Sequence, residues 1–178
     1  MASPLTLAPE RLSDAPLADA LIAHAFGPGR LAKAAERLRE HSAHIPELSF
    51  VAWIDGRAVG CVRLWPIMVG ATPALLLGPF AVDEAERSAG VGAALMRRAC
   101  EAAKDASHAV VLLVGDEAYF GEFGFSRARD VRMPGPVDPR RVLVRALTPG
   151  AADGLAGPVR AAPLVARREA PVLALAAE

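Results

Sequence analysis

Residues 75–96 read LLLGPFAVDEAERSAGVGAALM, and this stretch predicts a strand, a short polar loop and a helix in succession. The apolar run ends at Val82, and the loop enters the helix through two closely spaced glycines, Gly90 and Gly92. Backbone N–H groups at the start of a helix have no intrahelical partner and lie at the positive end of the helix dipole. The stretch therefore predicts a site for a phosphate or pyrophosphate group.

The segments on either side of this stretch predict a mixed sheet. Downstream, the helix extends over residues 91–106 and precedes the continuous apolar run 109–114, which is typical of a buried parallel strand. Upstream, residues 49–54 and 57–65 predict a hairpin, because Asp55-Gly56 supplies the positive φ values of a type I′ turn. We expect Pro66 to end this pairing or to introduce a bulge. A second turn at 70–73 then leads into the strand 74–82.

The remaining segments give weaker signals. We expect a short strand at 5–9, helices at 17–26 and 31–41, one helical turn at 117–122, a loop at 133–139 and a last strand at 140–147. Residues 148–163 are rich in Gly, Ala and Pro and predict an irregular connection, and no structure is predicted for 164–178. We therefore divide the chain into a domain at 1–147 and an extension at 148–178 that packs on or extends the same domain.

Composition excludes several classes of protein. The chain has 178 residues, of which 53% are hydrophobic and 22% are charged. Such a length and composition fit one globular domain. The formal net charge is zero, which disfavours a nucleic-acid partner. No stretch predicts a signal peptide or a membrane span, so we expect a cytoplasmic protein. The four histidines and two cysteines lack metal-ligand spacing, so no metal is expected.

The glycine loop departs from two common phosphate-binding motifs. A P-loop requires Lys-Ser/Thr after its last glycine, whereas Ala93-Ala94 follow Gly92 here. A dinucleotide fingerprint requires a third glycine where this chain has Leu95. Neither a nucleoside triphosphate nor a dinucleotide is therefore favoured.

Several segments resemble the GNAT superfamily of N-acetyltransferases, and in particular a bacterial branch of it. The loop 87–92, RSAGVG, matches that superfamily's Gln/Arg-x-x-Gly-x-Gly/Ala acyl-coenzyme A loop. Residues 77–82, LGPFAV, and 115–125, GDEAYFGEFGF, match two further segments of the branch, and the resemblance covers residues 5 to about 147. It implies an α/β fold with a mixed, mostly antiparallel sheet, flanked by helices and splayed where acetyl-CoA enters.

The resemblance also implies which residues bind acetyl-CoA. The backbone of one strand would pair with the pantetheine arm, and the N–H groups of the loop and first helical turn would receive the pyrophosphate. These residues are Phe80, Ala81, Val82, Arg87, Ser88, Ala89, Gly90, Val91, Gly92 and Ala93.

Catalysis is less clearly encoded. Superfamily members usually carry their general acid, a tyrosine, at the position of Phe120, and the only tyrosine of this chain is its neighbour Tyr119. Tyr119 is our candidate general acid, with a structural or substrate-contacting role as the alternative, because adjacent side chains on a helical turn diverge by about 100°. For the base, a water chain or one of several side chains remains open: His41, His44, Glu47, Asp116 and Glu122.

We therefore expect an enzyme that transfers acetyl from acetyl-CoA to a primary amine, on a small molecule or a peptide, by direct attack in a ternary complex. A non-catalytic acyl-CoA binding or sensing module is the rival, because Phe120 has no proton to give. Acetylation of a charged tRNA is a third hypothesis, which the zero net charge disfavours. A homodimer stays open, since the superfamily often dimerises.

Overall fold

The computed structural model describes residues 4–27, 34–40, 42–87 and 89–163, and it has the predicted mixed architecture. A nine-stranded sheet is flanked by helices, with most neighbouring strands antiparallel. The strands are β1 (Thr6–Pro9), β2 (Phe50–Ile54), β3 (Arg57–Val69), β4 (Thr72–Val82), β5 (Val110–Val114), β6 (Ser126–Arg127), β7 (Val131–Arg132), β8 (Val142–Ala146) and β9 (Gly157–Ala161). The helices are α1 (Ala15–Phe26), α2 (Ala34–Arg37), α3 (Val91–Asp105) and α4 (Glu117–Phe120).

Strands β1 to β4 form the predicted antiparallel meander. Asp55 and Gly56 both have positive φ, 51° and 71° respectively. They connect β2 to β3 as expected of a type I′ turn. The pairing of β2 with β3 ends at Phe50–Val62, before Pro66 is reached. The expected bulge at Pro66 is wrong, because β3 continues through Pro66, which lies opposite Leu75 in the β3–β4 register. Its carbonyl accepts from Ala162 N on the other edge of β3, so the proline nitrogen also faces that edge and costs β4 no hydrogen bond.

The sheet opens between β4 and β5. These parallel strands pair only at Leu75–Val111 and Leu76–Leu112, although β4 continues to Val82. Between its pairings with Val62 and Leu64 of β3, β4 carries an irregularity at Gly78-Pro79. The Trp65 indole N–H donates to the Gly78 carbonyl at 2.7 Å and so attaches this irregularity to β3. Strands β4 and β5 consequently diverge at their carboxyl ends.

Helix α3 closes one face of the sheet and fixes the start of the site. Its apolar residues Val91, Leu95, Met96 and Ala99 are fully buried in the largest core cluster. Gly60 of β3 allows this close packing, since a Cβ there would lie 2.9 Å from Leu95 Cδ1. The predicted order of strand, loop, helix and parallel strand is thus confirmed.

Three segments differ from the sequence predictions. Residues 148–163 are not wholly irregular, since β9 pairs with β3 along the edge that β2 leaves unpaired, and β7 pairs with β9. Helix α1 begins at Ala15 rather than at residue 17, with Pro16 in its first turn. Of the predicted helix 31–41, residues 34–37 form α2 and residues 38–40 form a turn. Residues 31–33, His41 and the segment 164–178 lie outside the described residues.

Within the described ranges, the helices are all too short or too polar to cross a bilayer.

Candidate active site

The N-terminus of α3 presents backbone donors without a side-chain cap. Gly90 precedes the helix in the left-handed conformation, with φ 76°, and contributes no side-chain cap. The helical ladder begins with Ala94 N–H donating to the Gly90 carbonyl at 3.0 Å, so the N–H groups of Val91, Gly92 and Ala93 precede it. These three groups are available to a ligand anion.

The residues of the loop before α3 differ in what they can offer a ligand. The Ala89 N–H already donates to the Glu86 carbonyl at 3.0 Å, although Ala89 is among the predicted cofactor-binding residues. The Arg87 guanidinium lies 3.3 Å from Glu84, and the side chain is 56% exposed and lines the groove beside the helix start. Ser88, also predicted to bind the cofactor, lies outside the described residues.

A groove of about 350 Å³ runs from this helix start along β4, and we call it the cofactor groove. Its lining residues are Ala25, Phe26, Phe80, Ala81, Val82, Arg87, Gly92 and Tyr119. Phe80, Ala81 and Val82 pair with β3 on one side, and among the described strands none pairs with their other edge. That edge offers the backbone groups with which an extended amide-bearing chain can pair as a strand.

Gly92 leaves a space that any side chain would fill. A Cβ at this position would lie 2.9 Å from the Tyr119 hydroxyl and 3.2 Å from Phe80 Cζ. The tyrosine ring therefore reaches across the groove towards the first turn of α3. Because Gly92 has no side chain, its backbone stays accessible between the rings of Tyr119 and Phe80.

Tyr119 and Phe120 differ in their surroundings. Tyr119 is 42% exposed, and its pKa is raised by burial and, secondarily, by the carboxylate of Glu122. Phe120 packs its ring against Gly115 at the end of β5 and makes edge contacts with Phe80 and Phe125, at centroid distances of 6.2 and 6.3 Å. The phenol thus faces the cofactor groove, while the phenylalanine forms part of the opened wall of the sheet.

A second pocket of about 630 Å³ lies on the other side of these rings, and we call it the acceptor pocket. It shares Phe26, Phe80 and Tyr119 with the cofactor groove, so the two spaces meet at the opening between β4 and β5. Its charged lining residues are Glu36, Arg39, Asp116, Asp138 and Arg141.

The candidate bases are scattered. Asp116 lines the acceptor pocket, with Oδ1 accepting from Ala118 N at 3.0 Å, whereas Glu122 and Glu47 line neither space. His44 lies behind Trp65, 5.4 Å between ring centroids, with Nε2 3.5 Å from Glu10. Burial lowers the pKa of His44, against the opposing effect of Glu10. Asp116 is therefore the one member of the predicted set that the described chain brings into the pocket.

Sequence reasoning missed Glu36, Arg39, Asp138 and Arg141 as pocket residues. Arg39 donates to Glu36 at 2.6 Å, and its guanidinium carbon lies 5.8 Å from the Trp65 ring centroid. These side chains come from segments far apart in the sequence, and no local pattern indicates that they meet. Among the described residues, no group of three or more His, Cys, Asp or Glu side chains is placed to hold a metal ion.

Comparison with known proteins identifies the family. Residues 17–125 match the model of the Acetyltransferase (GNAT) family. The N-acetyltransferase YhbS of Escherichia coli, itself uncharacterised, is 32% identical over 149 residues, which are 81% of this chain and 88% of YhbS. The chain belongs to the GNAT acetyltransferase family.

Solved structures agree with this GNAT assignment. The crystal structure of E. coli YhbS in complex with CoA superposes with a TM-score of 0.77 at 29% identity, covering 91% of this chain and 92% of that one. A GNAT acetyltransferase from Brucella melitensis, in complex with acetyl-CoA, gives a TM-score of 0.65 at 22% identity, covering 90% and 97%. At that identity the second similarity concerns the fold alone. The predicted GNAT resemblance is confirmed, and the chain is an acyltransferase of this family.

Proposed function

We propose that this GNAT protein transfers an acetyl group from acetyl-CoA to a primary amine by direct attack within a ternary complex. The observation that carries this proposal is the meeting of the cofactor groove and the acceptor pocket at the opening between β4 and β5. A thioester held in the groove and an amine held in the pocket would come together without a covalent enzyme intermediate. The CoA complex of the related YhbS structure supports a ligand of the same kind.

The residues present fit acetyl-CoA. The N–H groups of Val91, Gly92 and Ala93 would bind the pyrophosphate, and Arg87 adds a positive charge beside them. The free edge of β4 at Phe80 to Val82 would pair with the pantetheine amides. Bound there, acetyl-CoA supplies an acyl group activated as a thioester.

The chain's own groups would then direct proton movement. The amine nitrogen forms a bond to the acyl carbon as the carbon–sulfur bond breaks, one proton leaves the nitrogen, and one proton goes to the departing sulfur. We assign the second proton to Tyr119, whose raised pKa keeps the phenol protonated at neutral pH. Phe120 would contribute shape and exclusion of water.

A non-catalytic acyl-CoA sensor is the second candidate. It is favoured by one observation: Phe120, which lines the acceptor pocket beside the opening, has no hydroxyl that could donate a proton. Both candidates require binding of acetyl-CoA, and they differ in whether thiol is released.

Thiol release separates the two candidates. Incubation with acetyl-CoA and a panel of polyamines, aminoglycosides, amino acids and short peptides is expected to release CoA thiol with at least one amine class. Binding of acetyl-CoA by calorimetry without thiol release from any amine would favour the sensor.

We also propose that residues 4–163 act as one domain in the cytoplasm. The pairing of β9 with β3 supports a single domain, since the segment after residue 147 extends the same sheet. A homodimer stays a hypothesis, which sedimentation equilibrium tests.

A further inference from the structure

Most charges of the acceptor pocket are already matched within the protein. Glu36 and Arg39 pair at 2.6 Å. Asp138 accepts from Arg140 Nε at 3.1 Å and from Arg140 Nη2 at 2.8 Å, and these bonds lower the pKa of Asp138 to about 2, with Arg141 making the smallest contribution. Because the charges of Glu36, Arg39 and Asp138 are already paired within the protein, these side chains are poorly suited to pairing with a charged ligand.

Asp116 and Arg141 are different. Neither residue forms an ion pair with another of the described residues. One carboxylate oxygen of Asp116 accepts a hydrogen bond from the N–H of Ala118. The two residues lie at neighbouring strand ends, because Gly115 N–H donates to the Arg141 carbonyl at 2.9 Å. Both side chains are exposed and line the acceptor pocket. The rim of the pocket therefore has one anion and one cation that form no ion pair with another described residue, although the charge of Arg141 also acts on Asp138.

The rest of the pocket wall is largely apolar. Leu76 and Leu77 of β4, Leu113 and Val114 of β5, and Phe120 form the surface between the opened strands. A ligand that reaches from the rim into this wall needs an apolar body.

We propose that the acceptor is an α-amino acid with an apolar side chain. Its carboxylate pairs with the guanidinium of Arg141, which can bind it through two parallel hydrogen bonds, and its ammonium approaches Asp116. The ammonium gives one proton to water, and the neutral amine attacks the acyl carbon and gives a second proton to water as the carbon–sulfur bond breaks and the sulfur takes its proton from Tyr119. The apolar side chain lies against the wall of β4 and β5. This inference rests on the proposed acetyltransferase function.

The experiment compares amino acids with partners that lack the carboxylate. The wild-type protein is given acetyl-CoA with leucine, leucinamide or 3-methylbutylamine, and with phenylalanine or 2-phenylethylamine, and thiol release is followed. We expect kcat/KM for each amino acid to exceed that of its decarboxylated or amidated partner by at least tenfold.

Two variants assign this preference to the rim. Arg141→Gln removes the charge and keeps the backbone carbonyl that accepts from Gly115, so the fold is retained. It should lower kcat/KM for leucine at least tenfold, change 3-methylbutylamine less than threefold and leave the Kd for acetyl-CoA unchanged. Arg129→Gln, an exposed arginine outside the pocket, is the matched control and should keep the wild-type preference.

A binding readout completes the test. N-acetylleucine, which cannot react further, should bind the CoA-saturated wild-type protein in ligand-observed NMR and bind Arg141→Gln at least tenfold more weakly. Equal turnover of leucine and 3-methylbutylamine, or an unchanged preference in Arg141→Gln, overturns the inference and leaves the acetyltransferase function standing. Binding of acetyl-CoA with no thiol release from any amine overturns both.

Discussion

Tyr119 and Phe120 are neighbours in α4 with different relations to the two spaces of the site. Tyr119 lines both the cofactor groove and the acceptor pocket, whereas Phe120 lines only the acceptor pocket. The two spaces share Phe26, Phe80 and Tyr119, and of these three rings only that of Tyr119 carries a hydroxyl that can donate a proton. Its position, with the hydroxyl close to Gly92, is the reason for proposing it as the donor on the cofactor side.

Replacing Tyr119 by phenylalanine tests its role as acid. We expect kcat to fall by about 100-fold, the size usual for loss of a general acid, with the Kd for acetyl-CoA changed far less. Because burial and Glu122 raise the pKa of Tyr119, the loss of wild-type kcat from phenol ionisation should have its midpoint above the ordinary phenol pKa of about 10. Steady-state kinetics from about pH 6 to about pH 10.5 span the ordinary phenol pKa and measure both effects.

The alternative role of Tyr119 gives a different result. A merely structural tyrosine would leave kcat of Tyr119→Phe within about twofold of wild type, with a similar pH profile. That outcome would remove the acid assignment and leave the enzyme in need of another proton source, such as water.

Adding one methyl group at Gly92 tests whether the cofactor groove must stay open at this position. Gly92→Ala places a methyl group against the Tyr119 hydroxyl and the Phe80 ring, so we expect the Kd for acetyl-CoA to rise at least tenfold. Thermal stability should stay the same or increase, because alanine is the better helix former. Calorimetry and thermal unfolding measure the two properties.

Gly121→Ala is the control for this substitution. A Cβ at Gly121 would have no heavy atom within 4 Å, so the added methyl should leave the Kd unchanged. Equal effects of the two variants would argue against a specific requirement for open backbone at Gly92.

At the scale of elements, a network of ion pairs joins β3, α1 and Glu10, the residue that follows β1. Arg63 of β3 donates to both carboxylate oxygens of Glu10, at 2.6–3.1 Å, and to Asp19 of α1 at 2.7 Å. Glu10 and Arg63 are 4% and 8% exposed. Because α1 also carries Ala25 and Phe26 to the cofactor groove, this network positions one wall of the site.

Glu10→Gln should be strongly destabilising. It leaves the Arg63 charge buried with only Asp19 to compensate, so we expect the free energy of unfolding to fall by about 3 kcal/mol. Urea unfolding at neutral pH measures the loss. Glu86→Gln breaks an ion pair to the half-exposed Arg57 and should cost less than about 1 kcal/mol. Similar losses in both variants would contradict the distinction between buried and exposed pairs.

The predictability of the elements follows from how local their signals are. The β2–β3 hairpin and the strand, loop and helix around Gly90 were predictable because turn residues and apolar periodicity lie within each segment. Strand β9 was not, since its sequence GPVRA has one β-branched residue and its partner β3 lies far earlier in the chain. The continuation of β3 through Pro66 depends on which edge the proline nitrogen faces, and that is set by neighbours distant in sequence.

For the whole molecule, the cofactor groove and the acceptor pocket also differ in how far their residues can be predicted from local sequence. The residues predicted to bind the cofactor lie in one contiguous stretch, so the sequence alone was enough to propose them. The acceptor pocket is assembled from α2, β4, β5 and the segment before β8, and its charges Glu36, Arg39 and Asp138 have no motif of their own. The acceptor is therefore inferred from charge matching in three dimensions.

The proposed function depends most directly on acetyl-CoA binding where β4 and β5 diverge. Calorimetric titration of the wild-type chain with acetyl-CoA should give saturable binding of one molecule per chain, with a Kd between about 1 µM and about 1 mM. Absence of any saturable heat at millimolar acetyl-CoA would contradict the proposed function and the sensor alternative together.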